Sequence, residues 1–210
     1  MLNPAKLYEL YAKLEKAGVE DVPGHTHMLY LVGQTRDNQD SVLDQTLNWS
    51  GLIGFIGYPN TEEVFGYPGS DVWTEALIER DRDPRNFRYI YDSFITVGGK
   101  RIVHTLSEMQ AMVRFAKEKD MRSVAIVAPP FHLMRAFMSA VLAAQIYYPT
   151  LRIHPRLGEL DWNASVRHSQ GKVVGTPASL LVSEITRIFT YQAQGLLPTP
   201  EEALAHLDRL

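Results

Sequence analysis

Cysteine is absent from the 210 residues. That excludes disulfides, thiolate catalysis and Cys-ligated zinc or iron–sulfur centres. Long hydrophobic runs are missing too. No stretch approaches the roughly 18 uncharged apolar residues of a membrane span, so no membrane partner is expected. A basic excess is also lacking: Lys and Arg total 21 against 24 Asp and Glu, with a net charge of −3 and a sequence pI of about 6.2. A general nucleic-acid binder would show the opposite balance, so no nucleic-acid partner is expected. Neither a Rossmann G-x-G-x-x-G nor a Walker A loop occurs, and there is no G-x-S-x-G nucleophile elbow. Residues Met1 to Asp21 carry Lys6, Glu9, Lys13, Glu15 and Lys16 without an apolar signal core, which leads to the expectation of a cytoplasmic protein.

What is present has the make-up of an ordinary globular protein, with 45% hydrophobic and 21% charged residues. A chain this long buries roughly 70% of its unfolded surface, so it needs neither disulfides nor a metal to be stable. Leu7, Leu10, Tyr11 and Leu14 recur at helical spacing, with Pro4 suited to the first turn and Gly18 to the end. Strands are expected at 28–32, 52–56, 87–91, 124–128 and 151–154. Helices are expected at 40–49, 71–80, 105–119, 131–147, 177–194 and 200–210. Residues 158–174 read as irregular. Apolar strands alternating with helices imply a parallel sheet covered on both faces. The expected fold is therefore a three-layer α/β/α Rossmann-like domain spanning 1–210. Its central sheet is mainly parallel with about five strands, and terminal helices at 1–20 and 177–210 are appended. The end helices could mediate a homodimer.

The richest stretch is Val124-Ala-Ile-Val-Ala-Pro-Pro-Phe-His-Leu-Met-Arg135. A buried strand feeds through Pro-Pro into a helix that carries His132 and Arg135 in its first turn. Residues three apart share a helical face, and crevices form outside strand carboxyl ends. His132 is the candidate proton carrier and Arg135 the candidate grip for a small anionic ligand. Surface placement of the pair is the competing reading. His104-Thr105-Leu-Ser-Glu108 fits a capping box, with Thr105 capping and Glu108 reaching back. That helix start can also face the crevice. Gly33, Gln34 and Thr35 close the first strand, where backbone and polar side chains could meet a ligand; an ordinary βα loop explains them equally. Gly57 opens a long Gly- and Pro-rich loop in which Tyr58 and Tyr67 could stack on a flat group or cover the core edge. Asp71 fits the cap of the helix after it. His25-Thr-His27 offers two imidazoles but no third ligand at a recognised spacing, so no metal is implied.

These pieces resemble the YdcF-like family, which includes SanA- and ElyC-type proteins, over roughly residues 28–195. Gly33, Gly57, His104-Thr105-Leu-Ser-Glu108 and Pro130-Phe-His132-Leu-Met-Arg135-Ala136 stand where the family's features stand, and Glu184 with its aromatic-rich helix is similar to the family's tail. The resemblance implies a Rossmann-like fold and a nucleotide-like ligand, with S-adenosylmethionine as the candidate cofactor. Two alternatives rest on the residues themselves: the Gly-rich loop, His132 and Arg135 fit a hydrolase or transferase of phosphorylated or glycan-derived substrates, and the amphipathic helices at each end fit a non-catalytic interaction protein. His104 replaces the family's usual Asn, Met109 and Gln110 follow Glu108 where the family has Asn, and Gly57-Tyr-Pro replaces Ser-Gly-Gly. Those departures point to a different or more weakly held ligand.

Overall fold

The computed structural model describes residues 3–58, 66–91, 94–97, 100–168 and 173–210, with the side chains of 94–97 and 100–103 outside that description. Five strands form an all-parallel sheet in the order β3-β2-β1-β6-β7. They are β1 (Met28–Leu31), β2 (Leu52–Ile56), β3 (Phe87–Ile90), β6 (Ser123–Ala128) and β7 (Arg152–Leu157). Helices α1 (Pro4–Val19), α2 (Arg36–Leu43), α3 (Ser70–Ile78), α4 (Thr105–Glu118), α5 (Pro130–Tyr147), α6 (Pro177–Ala193) and α7 (Pro200–Leu207) flank it. This is the expected Rossmann-like α/β arrangement.

Period-two alternation builds the layers. Met28, Tyr30 and Val32 of the first strand, with Val124, Ile126 and Ala128 of β6, face a core shared with α1, α4, α5 and α7. Leu29, Leu31, Ala125 and Val127 face the opposite core, shared with α2 and α3. Both faces are buried, so the strands read as continuous apolar runs. Strand β1 lies between β2 and β6, and the chain leaves it toward β2 before returning to β6 on its other side. The gap between the carboxyl ends of β1 and β6 is thus the topological switch point, the place where such sheets build sites.

Several local expectations are corrected. The helix expected at 40–49 starts at Arg36 and stops at Leu43, followed by a tight turn at Asp44–Thr46. Thr35 is its N-cap, so Asp40 starts nothing, and Arg82 Nη1 takes the carbonyls of Thr46, Leu47 and Trp49 at 3.0, 3.1 and 3.2 Å. Leu47 is exposed. Gly18 does not end α1, which runs on through Val19; a Cβ there would sit 3.1 Å from both the Cβ and the backbone nitrogen of Leu157. The glycine lets the helix lie against β7. Asp71 stands inside the first turn of α3, whose N-cap is Gly69 at φ 109. An unforeseen antiparallel pair, β4 (Phe94–Val97) and β5 (Lys100–Val103), precedes α4. Within 158–174, expected to be irregular, β8 (Val166–Arg167) pairs antiparallel with β9 (Val174–Gly175). Most of the loop expected after Gly57 lies outside the described residues.

Candidate functional site

The helix start at α4 is built differently from the expected capping box. His104, not Thr105, is the N-cap: its Nδ1 accepts the Leu106 N–H at 3.2 Å, and Ser107 Oγ accepts the His104 N–H at 3.1 Å. Because Ser107 fills the reciprocal role, Glu108 is released from capping. Its Oε1 instead accepts the Gly33 N–H at 2.8 Å and the Tyr30 hydroxyl at 3.1 Å. Glu108 therefore ties α4 to the carboxyl end of β1.

Opposite it, Arg135 rises from the second turn of α5 and is fully buried. Its Nε and Nη2 grip the two carboxylate oxygens of Glu184 on α6, the latter at 2.9 Å, and Nη1 donates to Thr105 Oγ1 at 2.5 Å. His168 Nε2 contacts the same Glu184 carboxylate. The sequence reading gives Arg135 a ligand anion to hold; in the structure the chain supplies that anion itself, in a bidentate pair.

His132 is 1% exposed and lies between Gln34 and Thr105. The Gln34 amide nitrogen donates to the Val32 carbonyl at 3.3 Å and to His132 Nδ1 at 3.1 Å. An amide nitrogen only donates, so Nδ1 is an acceptor and the ring proton sits on Nε2. That proton points at Thr105 Oγ1, 3.3 Å away. Both ring nitrogens are thus engaged within the protein. His132 and Arg135 do come together at the switch point, as their spacing suggests, but the expected open mouth is closed. Phe131, Val166 and Leu180, with Leu160 and Leu181 against them, fold α6 and the 158–168 segment over the start of α5. Clefts of about 450 and 470 Å³ lie elsewhere, beside Lys16 and His154 and beside Trp49 and Arg156 respectively. The polar layer reaches the surface through the half-buried Gly33 and His104.

The electrostatics divide the layer. Burial pushes the Glu184 carboxyl up, but the Arg135 charge and the bonds from His168 and Arg135 outweigh it and hold it well below the usual carboxylate range. Arg135 is charged: burial opposes this, and Glu184 overcomes it. Glu108 goes the other way. Burial raises it to about 7, only partly offset by the Gly33 N–H, the Tyr30 hydroxyl and Arg135. Burial, then Arg135, holds His132 well below its ordinary value, and His104 is brought down to about 4 by the same causes with Arg187 added. His168 is also lowered by burial, against the pull of Glu184. Neutral histidines and one ion pair therefore share the layer with a carboxyl that titrates near neutrality.

Of the other expected site residues, Gln34 and Thr35 join the layer at the end of β1, whereas Gly57 packs elsewhere. A Cβ on Gly57 would meet the Tyr91 ring at 2.8 Å, and its N–H bonds the Ile90 carbonyl at 2.9 Å. Tyr67 is buried and donates to the Ile56 carbonyl at 3.0 Å, so it closes the core edge. Three participants lay outside the sequence-derived site. Glu184 had a readable signal: it stands four residues from both Leu180 and Ile188 on the inward stripe of α6, where a lone acid needs a buried partner. Tyr30 hid among the apolar residues of β1. His168 follows a two-residue strand and carries no local pattern at all.

No protein-family model matches the chain, and no curated protein matches it significantly. Among the described residues no helix is long and apolar enough to cross a membrane.

Proposed function

We propose that the chain binds a small nucleotide-like molecule at the carboxyl edge between β1 and β6, with S-adenosylmethionine as the example that the YdcF-like resemblance supplies. The same reading places the protein in the cytoplasm. One observation carries it: Gln34, Thr105, Glu108, His132, Arg135, His168 and Glu184, all buried, are gathered into one polar layer at the switch point. Buried polar groups are costly, and a fold needing only stability would fill that position with apolar side chains. Isothermal titration of wild type and Gln34→Leu with S-adenosylmethionine and adenosine tests it. Wild type is expected to bind, and the variant to lose at least about tenfold in affinity, the worth of one buried hydrogen bond, with an unchanged circular dichroism spectrum. Flat wild-type titrations with both compounds would remove the reading.

A second reading, a hydrolase or transferase acting on a phosphorylated or glycan-derived substrate, has its own support. Glu108, brought to about 7, is matched to proton transfer near neutral pH, and it lies under the half-buried Gly33. His132, with both nitrogens engaged, fits that task less well and acts as a positioning group. A screen of phosphate esters and glycosides, with and without divalent metal, is the test. Turnover abolished by Glu108→Gln would support it, and no turnover under any condition would count against it.

A further inference from the structure

The β1–α2 turn holds an unusual set of atoms. Six buried side-chain nitrogens or oxygens among the described residues have no hydrogen-bond partner, and four of them belong to Gln34, Asn38, Gln39 and Ser41. Gln34 and Asn38 are fully buried. Their amide orientations are fixed from the nitrogen side. Gln34 Nε2 donates to the Val32 carbonyl, and Asn38 Nδ2 donates to the Arg167 carbonyl and to Thr35 Oγ1. A carbonyl cannot donate in return, so Gln34 Oε1 and Asn38 Oδ1 are the orphans, and both are acceptors. An unmet buried acceptor is costly, and a fold retains one where a partner supplies the missing hydrogen.

The charge around the turn has the matching sign. Arg135 is neutralised by Glu184 in a bidentate contact; the charge of Arg187, on the same helix as Glu184, bears on the histidines His104, His132 and His168. Glu108 adds a further carboxyl at the Gly33 end, and Asp37, paired with Arg167 at 3.5 Å, lies beside Asn38. A phosphate set against Gln34 Oε1 and Asn38 Oδ1 would bring acceptor oxygens against acceptor oxygens.

Resting on the ligand-binding reading above, we infer that the β1–α2 turn is an acceptor-lined subsite that takes a hydrogen-bond donor, a hydroxyl or amino group on an uncharged or cationic part of the ligand, and rejects phosphate. This reverses the anionic grip suggested by Arg135 in the sequence. A ribose or sugar hydroxyl, or a ligand amine, meets the requirement.

The test is calorimetric titration of wild type with paired probes: adenosine and adenosine monophosphate, glucosamine and its phosphate monoester, and inorganic phosphate alone. At least one unphosphorylated member is expected to bind, its phosphate monoester at least about tenfold more weakly, and inorganic phosphate not at all. The binding member is then titrated against Gln34→Met and Asn38→Leu, with circular dichroism as the folding control, and either variant is expected to lose at least about tenfold in affinity. Binding of the phosphate-bearing probes alone would leave the ligand-binding reading standing and overturn the acceptor assignment. Unchanged affinity in both folded variants would also overturn it, by placing the ligand elsewhere. Silence of wild type toward every probe would bring down the assignment together with the reading it rests on.

Discussion

The two ends of the buried polar layer each hold a glutamate at nearly the same depth, and their surroundings drive them in opposite directions. Glu184, 0% exposed, meets a guanidinium face to face and a histidine beside it, and it stays ionised. Glu108, 3% exposed, meets only a backbone N–H and a tyrosine hydroxyl, and burial lifts it to about 7. Neutral donors do not replace a full opposite charge in a medium of low polarity. One end of the layer is therefore a permanent ion pair that locks α5 to α6. The other is a carboxyl that changes charge near neutral pH, where a ligand or a proton can act on it.

The largest expected effect breaks the locked end. Glu184→Leu leaves Arg135 buried and uncompensated and should cost about 3–5 kcal/mol in urea denaturation. Adding Arg135→Met should restore much of that loss, because a matched apolar pair removes the stranded charge. A loss under about 1 kcal/mol in the single variant would mean that Arg135 finds another partner and that the two ends differ less than their geometry indicates.

Next in size is the pH response of the other end. Glu108 has a folded pKa of about 7 against an ordinary value of 4.5. Its contribution to stability is complete below about 4.5 and is lost as the pH rises through about 7, so ionised Glu108 weakens the fold in alkali. The swing is about 3 kcal/mol at most. The buried histidines have the opposite sign: His104, His154 and His206 are each lowered to about 4 from 6.5. Their contribution is present above about 6.5 and is lost as the pH falls toward 4. Glu108→Gln should therefore remove the decline that Glu108 imposes between about pH 4.5 and 7, so that stability rises more steeply with pH across the part of that window where the histidines act. Parallel stability profiles for wild type and variant between pH 5 and 8.5, on the order of the window set by these groups, would deny Glu108 its raised pKa.

The contrast between the ends also marks what the sequence could carry. Strand β2 matches its expected bounds at Leu52–Ile56, and β6 and α5 differ by one residue from theirs, because a continuous apolar run and a Pro-Pro start are local signals. The antiparallel pair of β4 and β5 has a local signal in the sequence, two β-prone runs separated by Gly98-Gly99. His132 and Arg135 were placed correctly at the switch point, since strand-to-helix position is a topological matter. Their burial was not legible. It depends on α6, about 50 residues on, laying Glu184 over Arg135, and pairing at that separation leaves no periodic trace. Capping misled for a similar reason: Thr-x-x-Glu and His-x-x-Ser overlap with an offset of one residue at 104–108, and Glu108 is free to reach β1 because Ser107 takes the reciprocal bond.

That overlap supplies a smaller test at the boundary between the two ends. His104→Ala removes the acceptor for the Leu106 N–H and should cost about 1 kcal/mol, the usual worth of an N-cap. His104 also packs edge-on against Tyr191 of α6, with ring centroids 4.9 Å apart. His104→Asn keeps a capping side chain and drops that contact, so the difference between the two variants in thermal denaturation separates cap from packing. Equal losses would assign the whole effect to the Tyr191 contact and leave Glu108's release from the capping box without its cause.

The smallest effect comes from a change that touches neither glutamate. Gly18 lies in α1 with its missing Cβ directed at Leu157 of β7, where 3.1 Å to a backbone nitrogen leaves little room to give. Gly18→Ala gains up to about 1 kcal/mol of helix propensity and loses a similar amount in crowding, because the opposing atom belongs to a paired strand. The net change should lie within about 1 kcal/mol and should be the same at every pH, since no titrating group moves with it. If Gly18 instead ended α1 in a left-handed conformation, alanine there would be strained with no neighbour involved, and smaller or larger residues at 157 would not alter the cost. Leu157→Gly, which removes the opposing Cβ, combined with Gly18→Ala therefore decides the matter. Relief of the crowding in the double variant, read as a departure from additivity in urea midpoints, is expected from a helix pressed against a strand, and strict additivity would return Gly18 to the role of a helix terminator.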